Sequence, residues 1–180
     1  MVFAFINFYT RTSHHVVEAT MRERGWDRVV IKPIVSAGSF ATRRFGRDEA
    51  KAAQTFVDEA GRAMMIQRWA PAVETSGERA VVWIDGEVSH AVRKSPRFDD
   101  GHEAVTTVPV ADDERAFAEK VVEPIAGELL YARVDMIRDD DQGKTELRLM
   151  ELELVEPSLF LKQHPPALER FANAILRTIG

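Results

Sequence analysis

Apolar and polar positions along the chain fall into short blocks that switch between strand and helix periodicity. Residues 14–24, "HHVVEATMRER", predict a helix that stops at Gly25, a residue suited to a left-handed cap. "DRVVIKPIV" predicts a strand that Pro33 ends or marks as an edge, and "SAGSFATRRF" a small-residue loop running into a second strand. "GRDEAKAAQTFVDEAGR" predicts a helix with Asp48 as its cap and Gly61 at its close, followed by the strand "AMMIQRWAP". "GERAVVWIDGEVSHAVRKSP" predicts a hairpin, because Asp85-Gly86 is a strong two-residue turn signal between apolar runs. "DDERAFAEKVVEPIAGEL" is helical at first, with Pro124 as a kink or stop. "LYARVDMIR" and "ELRLMELELVE" predict a second hairpin across "DDDQGK", and residues 166–179 a final amphipathic helix. The result is a mixed α and β pattern with substantial antiparallel pairing, which puts the chain in the α+β class.

One strand of the second hairpin is unusual. In "RLMELELVEPS", Glu151 and Glu153 alternate with Leu152 and Leu154, so the two carboxylates share one face, roughly 7 Å apart. Leu147 and Leu149 have the same parity as the glutamates, so that face is expected to run from apolar to acidic. With the turn centred on Gly143, Asp135 falls directly opposite Glu151, at about 4.5–5.5 Å between Cβ atoms. Three acids converging there would repel one another without a cation. Oxygen-only ligands favour a hard ion, Mg²⁺ or Mn²⁺, completed by water and nucleotide phosphate. A register slip of one residue would send the acids to opposite faces. Arg133 shares the face of Asp135, where it either meets phosphate or balances Glu153.

Composition narrows the choices only modestly. The 180 residues suffice for one domain or two small lobes, with 45% hydrophobic and 29% charged positions. A formal net charge of -5 gives no polyanion footprint, so nucleic acid is not an expected partner. No cysteine is present, which excludes disulfides, thiolate metal sites and cysteine nucleophiles and suits a reducing compartment. "MVFAFINFYTRTSHH" lacks a basic leader and a cleavage site, and no apolar run approaches the length of a membrane span. A cytoplasmic protein without membrane partners is the expectation, with "MVFAFINFY" as a candidate surface for homo-oligomer formation.

Lys32 ends a β-branched strand just before Ser36, Gly38 and Ser39, whose small side chains let backbone N–H groups approach phosphate. Taken in order, "VVIKPIVSAGSFATRRF", "MIQRWAPAVETSGERAVVWIDGEVSHAVRKSP", "YARVDMIRDD" and "LMELELVEPSLFL" resemble ATP-grasp ligases. Within them the likeness is to the glutathione-synthetase and RimK-like branch and the subgroup that contains O-ureidoserine cyclo-ligase. It spans roughly residues 26–180. The resemblance implies an ATP-grasp fold of two small α+β lobes with antiparallel sheets enclosing a nucleotide cleft, residues 1–66 forming the smaller and 67–180 the larger. It also implies ATP and Mg²⁺ as cofactors, a small-molecule or peptide carboxylate as substrate, and an amine that displaces an acyl phosphate. In this reading Lys32 and the loop bearing Ser36, Gly38 and Ser39 meet the ATP phosphates. Gln67, Arg68, Trp69 and Ala70 read adenine, and Glu78 holds the ribose hydroxyls. Lys94 and Arg133 act on the transferred phosphoryl group. Asp135, Glu151 and Glu153 hold the metal. Phosphoryl transfer of this kind rests on positioning and charge neutralisation, and needs no side-chain nucleophile.

Two departures qualify the likeness. Ala80 stands where glutathione synthetases carry a substrate-facing arginine, so glutathione-type substrates are not expected. The chain begins where the family is already a third of the way through, without the usual N-terminal lobe or the segment bearing a second phosphate-contacting lysine. The alternatives are therefore a separate N-terminal partner, or a non-catalytic remnant serving as a nucleotide-binding or protein-interaction module. An unrelated α+β binding domain would instead show its acids dispersed over a solvent face. His14 and His15, adjacent on a helix, point in different directions and are not expected to share a metal. His90 is expected to make a structural hydrogen bond, Trp69 and Trp83 to be core, and Asp139-Asp140-Asp141 to be a solvated turn.

Overall fold

A computed structural model describes residues 7–9, 15–35, 40–95, 104–141 and 144–179. The chain divides into two units, Met1–Ala70 and Pro71–Gly180. The first contains β1 (Asn7–Tyr9), α1 (Val16–Arg24), β2 (Arg28–Pro33), β3 (Arg43–Gly46), α2 (Ala50–Glu59) and β4 (Met64–Arg68). Its four strands form a sheet in the order β1-β4-β2-β3, every pairing antiparallel. Val29, Ile31, Met64, Ile66 and Phe45 point to one face, where Val16, Val17 and Met21 of α1 and Ala53 of α2 complete the core. The β1 pairing was not foreseen from the sequence. The helix α2 starts at a 3₁₀ turn, where the backbone N–H of Gly46 donates to Glu49 rather than Asp48 acting as cap.

The second unit contains α3 (Ala72–Thr75), β5 (Glu78–Ile84), β6 (Glu87–Lys94), β7 (Val105–Val108), α4 (Asp112–Val122), β8 (Tyr131–Asp141), β9 (Lys144–Glu153) and α5 (Pro166–Ile179). The strands form an antiparallel sheet in the order β7-β6-β5-β8-β9. Asp85 and Gly86 both take positive φ, 52° and 90°, as a tight hairpin turn with matching twist requires. One face of the sheet carries Val81, Trp83, Ala132, Val134 and Met136 against Ala118 and Val122 of α4. On the other, Val82, Ile84 and Tyr131 meet Ala167 and Phe171 of α5 and Leu159, Phe160 and Leu161 of the preceding segment. Among the described residues no helix is long and apolar enough to cross a membrane.

The hairpin of β8 and β9 departs from the sequence expectation in one decisive way. Near its turn the pairing runs Asp141 with Lys144 through Met136 with Leu149, and beyond that Asp135 pairs with Glu151. Met150 is therefore an extra residue, a β-bulge, and it changes the phase of the strand. Leu147 and Leu149 pack with Leu152 and Leu154 on the α4 face. The expected face grading from apolar to acidic does not exist; the leucines and the acids are on opposite sides. Asp139 is also not in a solvated turn. It lies within β8, 1% exposed, and pairs with Arg148 at 3.1 Å.

Deleting Met150 would remove the bulge yet leave Leu147, Leu149, Leu152 and Leu154 on one face and Glu151 and Glu153 on the other, whereas deleting Leu149 and Met150 together would turn the acids toward the leucine core. The unfolding free energy in urea is expected to fall by about 3 kcal/mol or more for the double deletion and by much less for the single one, and Met150→Leu should stay within about 1.5 kcal/mol of wild type.

Candidate metal and phosphate site

Among the charged side chains on the α5 face of the five-stranded sheet, six gather at and around Asp135 where the apolar cluster leaves that face uncovered. Register does most of this. Glu78 of β5 pairs with Lys94 of β6, Ala80 with Asp135 of β8, Asp135 with Glu151 of β9, and Arg133 with Glu153. Gly77 sets the entry to β5: its φ is 72°, and a Cβ there would lie 2.7 Å from the Lys94 carbonyl oxygen.

Asp135, fully buried, is at the centre. Its Oδ1 accepts from Arg133 Nε at 2.8 Å, and its Oδ2 accepts from Arg133 Nη2 at 2.8 Å and Lys94 Nζ at 2.6 Å. Lys94 also pairs with Glu78 at 2.9 Å, and Arg133 Nη2 bonds Glu153. Oxygens of Asp135, Glu151 and Glu153 lie within 4.8 Å of one another. The acids therefore converge, and two side-chain cations already offset their repulsion.

Ionisation follows from burial and neighbours. Burial alone would raise the Asp135 pKa, but the Arg133 bonds and the Lys94 charge outweigh it and hold the carboxyl below its usual value. Lys94 loses hydration by burial, yet Glu78 and Asp135 together raise its pKa. Glu78 is pushed up to about 8 by burial and by the Asp135 charge. Burial also raises Glu153, against the pull of Arg133. Carboxyls driven apart in this way are characteristic of functional clusters.

Behind Arg133 stands a segment that sequence patterning did not flag. Arg133 Nη1 donates to the Ser158 carbonyl at 3.4 Å, and its guanidinium lies 5.6 Å from the centre of the Phe160 ring. Glu156 and Phe160 both have positive φ, 48° and 50°, a costly conformation for side chains of this size. His90 anchors the same segment: its Nε2 donates to the Leu159 carbonyl at 2.9 Å, so Nδ1 accepts from Ser89 at 3.0 Å, and His164 stacks on its ring at 4.8 Å. This is the structural role expected for His90.

The remaining candidates belong to the first unit. Lys32 pairs with Met65 and Gln67 with Val30, so both take the face of that sheet turned away from α1 and α2. Trp69 is buried, with Arg44 stacked 4.8 Å from its ring centre, and Ala70 is buried beside it. Arg68 pairs with Val29 and falls on the opposite face, apart from Lys32 and Gln67. Ser36, Gly38 and Ser39 lie outside the described residues. His14 does too, and His15 is the cap residue ahead of α1.

Two antiparallel sheets with these helices match the ATP-grasp fold, and solved ATP-grasp ligases superpose on the chain. Of these, the crystal structure of the D-cycloserine synthetase DcsG aligns over 99% of this chain and 65% of its own, with a TM-score of 0.88 and 24% identity. The D-alanine–D-alanine ligase of Bacillus anthracis, solved with ATP, aligns over 96% and 57% with a TM-score of 0.66 and 16% identity. The ATP-grasp ligase PsnB, solved with Mg and ADP, aligns over 96% and 54% with a TM-score of 0.64 and 15% identity. In sequence, the cycloserine biosynthesis protein DcsG of Streptomyces lavendulae is 28% identical over 162 residues, 81% of this chain and 53% of that protein. The chain thus spans about half the length of this relative. No protein-family model matches it. The ATP-grasp resemblance read from the sequence, including its likeness to the cycloserine subgroup, is borne out.

The His90 anchor generates a pH dependence. Burial, followed by the His164 charge and against the Leu159 bond, lowers its pKa from 6.5. A folded-state pKa below the unfolded value contributes stability that is present above the unfolded pKa and lost as pH falls through the folded one. Wild type should therefore lose more stability than His90→Gln between pH 7.5 and 5, measured by urea unfolding at both; equal losses would mean that His90 does not titrate there.

Proposed function

We propose that this chain carries the nucleotide- and metal-binding part of an ATP-dependent carboxylate–amine ligase acting on a small molecule or peptide. The observation that carries the reading is the convergence of Asp135, Glu151 and Glu153 within 4.8 Å, beside Lys94 and Arg133. An acidic cluster alone is common. This one sits on paired strands of an ATP-grasp sheet, holds its central carboxylate out of water, and is set in place by a bulge.

The donor set fits a hard divalent ion, since it offers carboxylate oxygens and no sulfur or imidazole. Asp135, Glu151 and Glu153 would hold Mg²⁺, with Mn²⁺ as a substitute; when bound, the ion supplies neutralisation of phosphoryl charge. The chain's own residues have distinct tasks. Lys94 and Arg133 present N–H donors to the phosphoryl group as a substrate carboxylate oxygen bonds to phosphorus and the bond to the departing ADP breaks. An amine then displaces phosphate from the acyl group. Lys32 and the loop bearing Ser36, Gly38 and Ser39 are assigned to the ATP phosphates. Gln67 and Trp69, with backbone groups from Arg68 to Ala70, are assigned to adenine, and Glu78 to the ribose hydroxyls. Support for the class comes from the fold shared with ligases solved with ATP and with Mg and ADP.

Calorimetry of ATP with and without Mg²⁺ tests the reading. Wild type should bind ATP in a Mg²⁺-dependent manner, and Glu151→Gln/Glu153→Gln should lose at least tenfold in affinity, about 1.4 kcal/mol. Equal binding by the two proteins would remove the metal assignment. Binding by wild type without ADP release on any carboxylate and amine pair would leave a nucleotide-binding module rather than a ligase.

A further inference from the structure

The carboxylate at the centre of the site is already engaged. Three of the roughly four lone-pair positions of Asp135 accept hydrogen bonds, two from Arg133 and one from Lys94. A divalent ion approaching Asp135 meets both cations, and at least one must yield.

The two are not equally able to move. Arg133 is fixed by both oxygens of Asp135, by Glu153, by the Ser158 carbonyl and by the Phe160 ring. Its planar fork is committed to this arrangement. Lys94 is a single ammonium on a flexible stem, and it straddles two carboxyl groups: Asp135 at 2.6 Å and Glu78 at 2.9 Å. Glu78 lies directly across the strand pair from it, so the ammonium stays within reach of a carboxyl oxygen when Asp135 is released.

We propose that Lys94 is an internal counter-cation that competes with the divalent ion for Asp135, so that the metal site opens fully only when an anionic phosphate draws the ammonium away. The inference rests on the metal and nucleotide reading above. Metal and triphosphate then bind in a linked manner, because each favours the arrangement in which Lys94 has left Asp135, and the linkage is reciprocal. The device also keeps the nucleotide-free site from trapping stray divalent ions.

The test measures two ligands separately on the full chain: Mn²⁺ without nucleotide, by electron paramagnetic resonance, and the ATP analogue AMP-PNP in EDTA, by calorimetry. In Lys94→Met, Mn²⁺ should bind at least fivefold tighter than in wild type while AMP-PNP binds at least fivefold more weakly. Damage to the structure would weaken both. Asp135 keeps its paired bonds to Arg133 in this variant, and Lys94→Gln, which retains a hydrogen-bond donor without the charge, should follow the same trend. Arg138→Gln, on the α4 face where Arg138 pairs with Asp113, should leave both affinities within twofold of wild type. Mn²⁺ binding in Lys94→Met that is equal to or weaker than wild type overturns the inference, as does an undetectable Mn²⁺ affinity in both. Mn²⁺ binding unchanged in Glu151→Gln/Glu153→Gln removes the metal reading itself and the inference with it.

Discussion

Asp135 has no exposed surface, and a charge in that position survives only because three N–H donors reach it. The arrangement around it follows. Arg133 must lie on the same strand face, Lys94 must reach across β5 from β6, and Ala80 between them must be small. Removing one partner from a buried charge network costs about 3–5 kcal/mol, so these positions constrain one another far more than they would at a surface. The network need not add stability over an apolar core. Its consequence is specificity: one register, one set of rotamers and a carboxylate that stays ionised.

That register depends on Met150 being bulged out of the pairing. A strand of perfect alternation could not place Leu147 and Leu149 beside α4 and also Glu151 and Glu153 on the other side, because parity fixes the face. A bulge at one residue resolves the conflict, and both halves of β9 bury their leucines on the α4 face while Glu146 and Arg148 in one half and Glu151 and Glu153 in the other take the opposite face. The opposite face is shared in turn. The α5 cluster covers one end, and the charged side chains occupy the other. Arg133 stands at the border, bonded to acids on one side and to the strained 156–160 segment on the other.

Ala80 limits which side chains the charged cluster can accommodate. It pairs with Asp135 and is fully buried, and an arginine there would add a third cation beside Lys94 and Arg133. The ligases that superpose on this chain share the fold at 15–24% identity, a range in which architecture persists and substrate does not follow from it. What separates one such site from another is the side-chain set on a common sheet face.

Much of this was legible in the chain itself. Period-two runs marked β2, β4, β5, β6, β8 and β9, Asp85-Gly86 marked its turn, and Gly25 marked the end of α1, because each depends on local backbone preference. The pairing of Asp135 with Glu151 was expected from a turn centred on Gly143, but the turn-side pairing runs one residue off that register and only the bulge restores it. The bulge had a signal that went unread: apolar residues fall at 147 and 149, then at 150, 152 and 154, a change of phase within "LRLMELEL". Other features had no local signature. The short strands β1 and β7 are defined by their partners, and Asp139 looked like part of a solvated turn until β8 and Arg148 buried it. The sequence by itself determined the elements, their order and the acids available to a cation, because these follow from periodicity and residue type. Only the tertiary structure decided which cations hold those acids, because Lys94 reaches Asp135 and Arg133 reaches Ser158 through contacts between segments far apart in the chain.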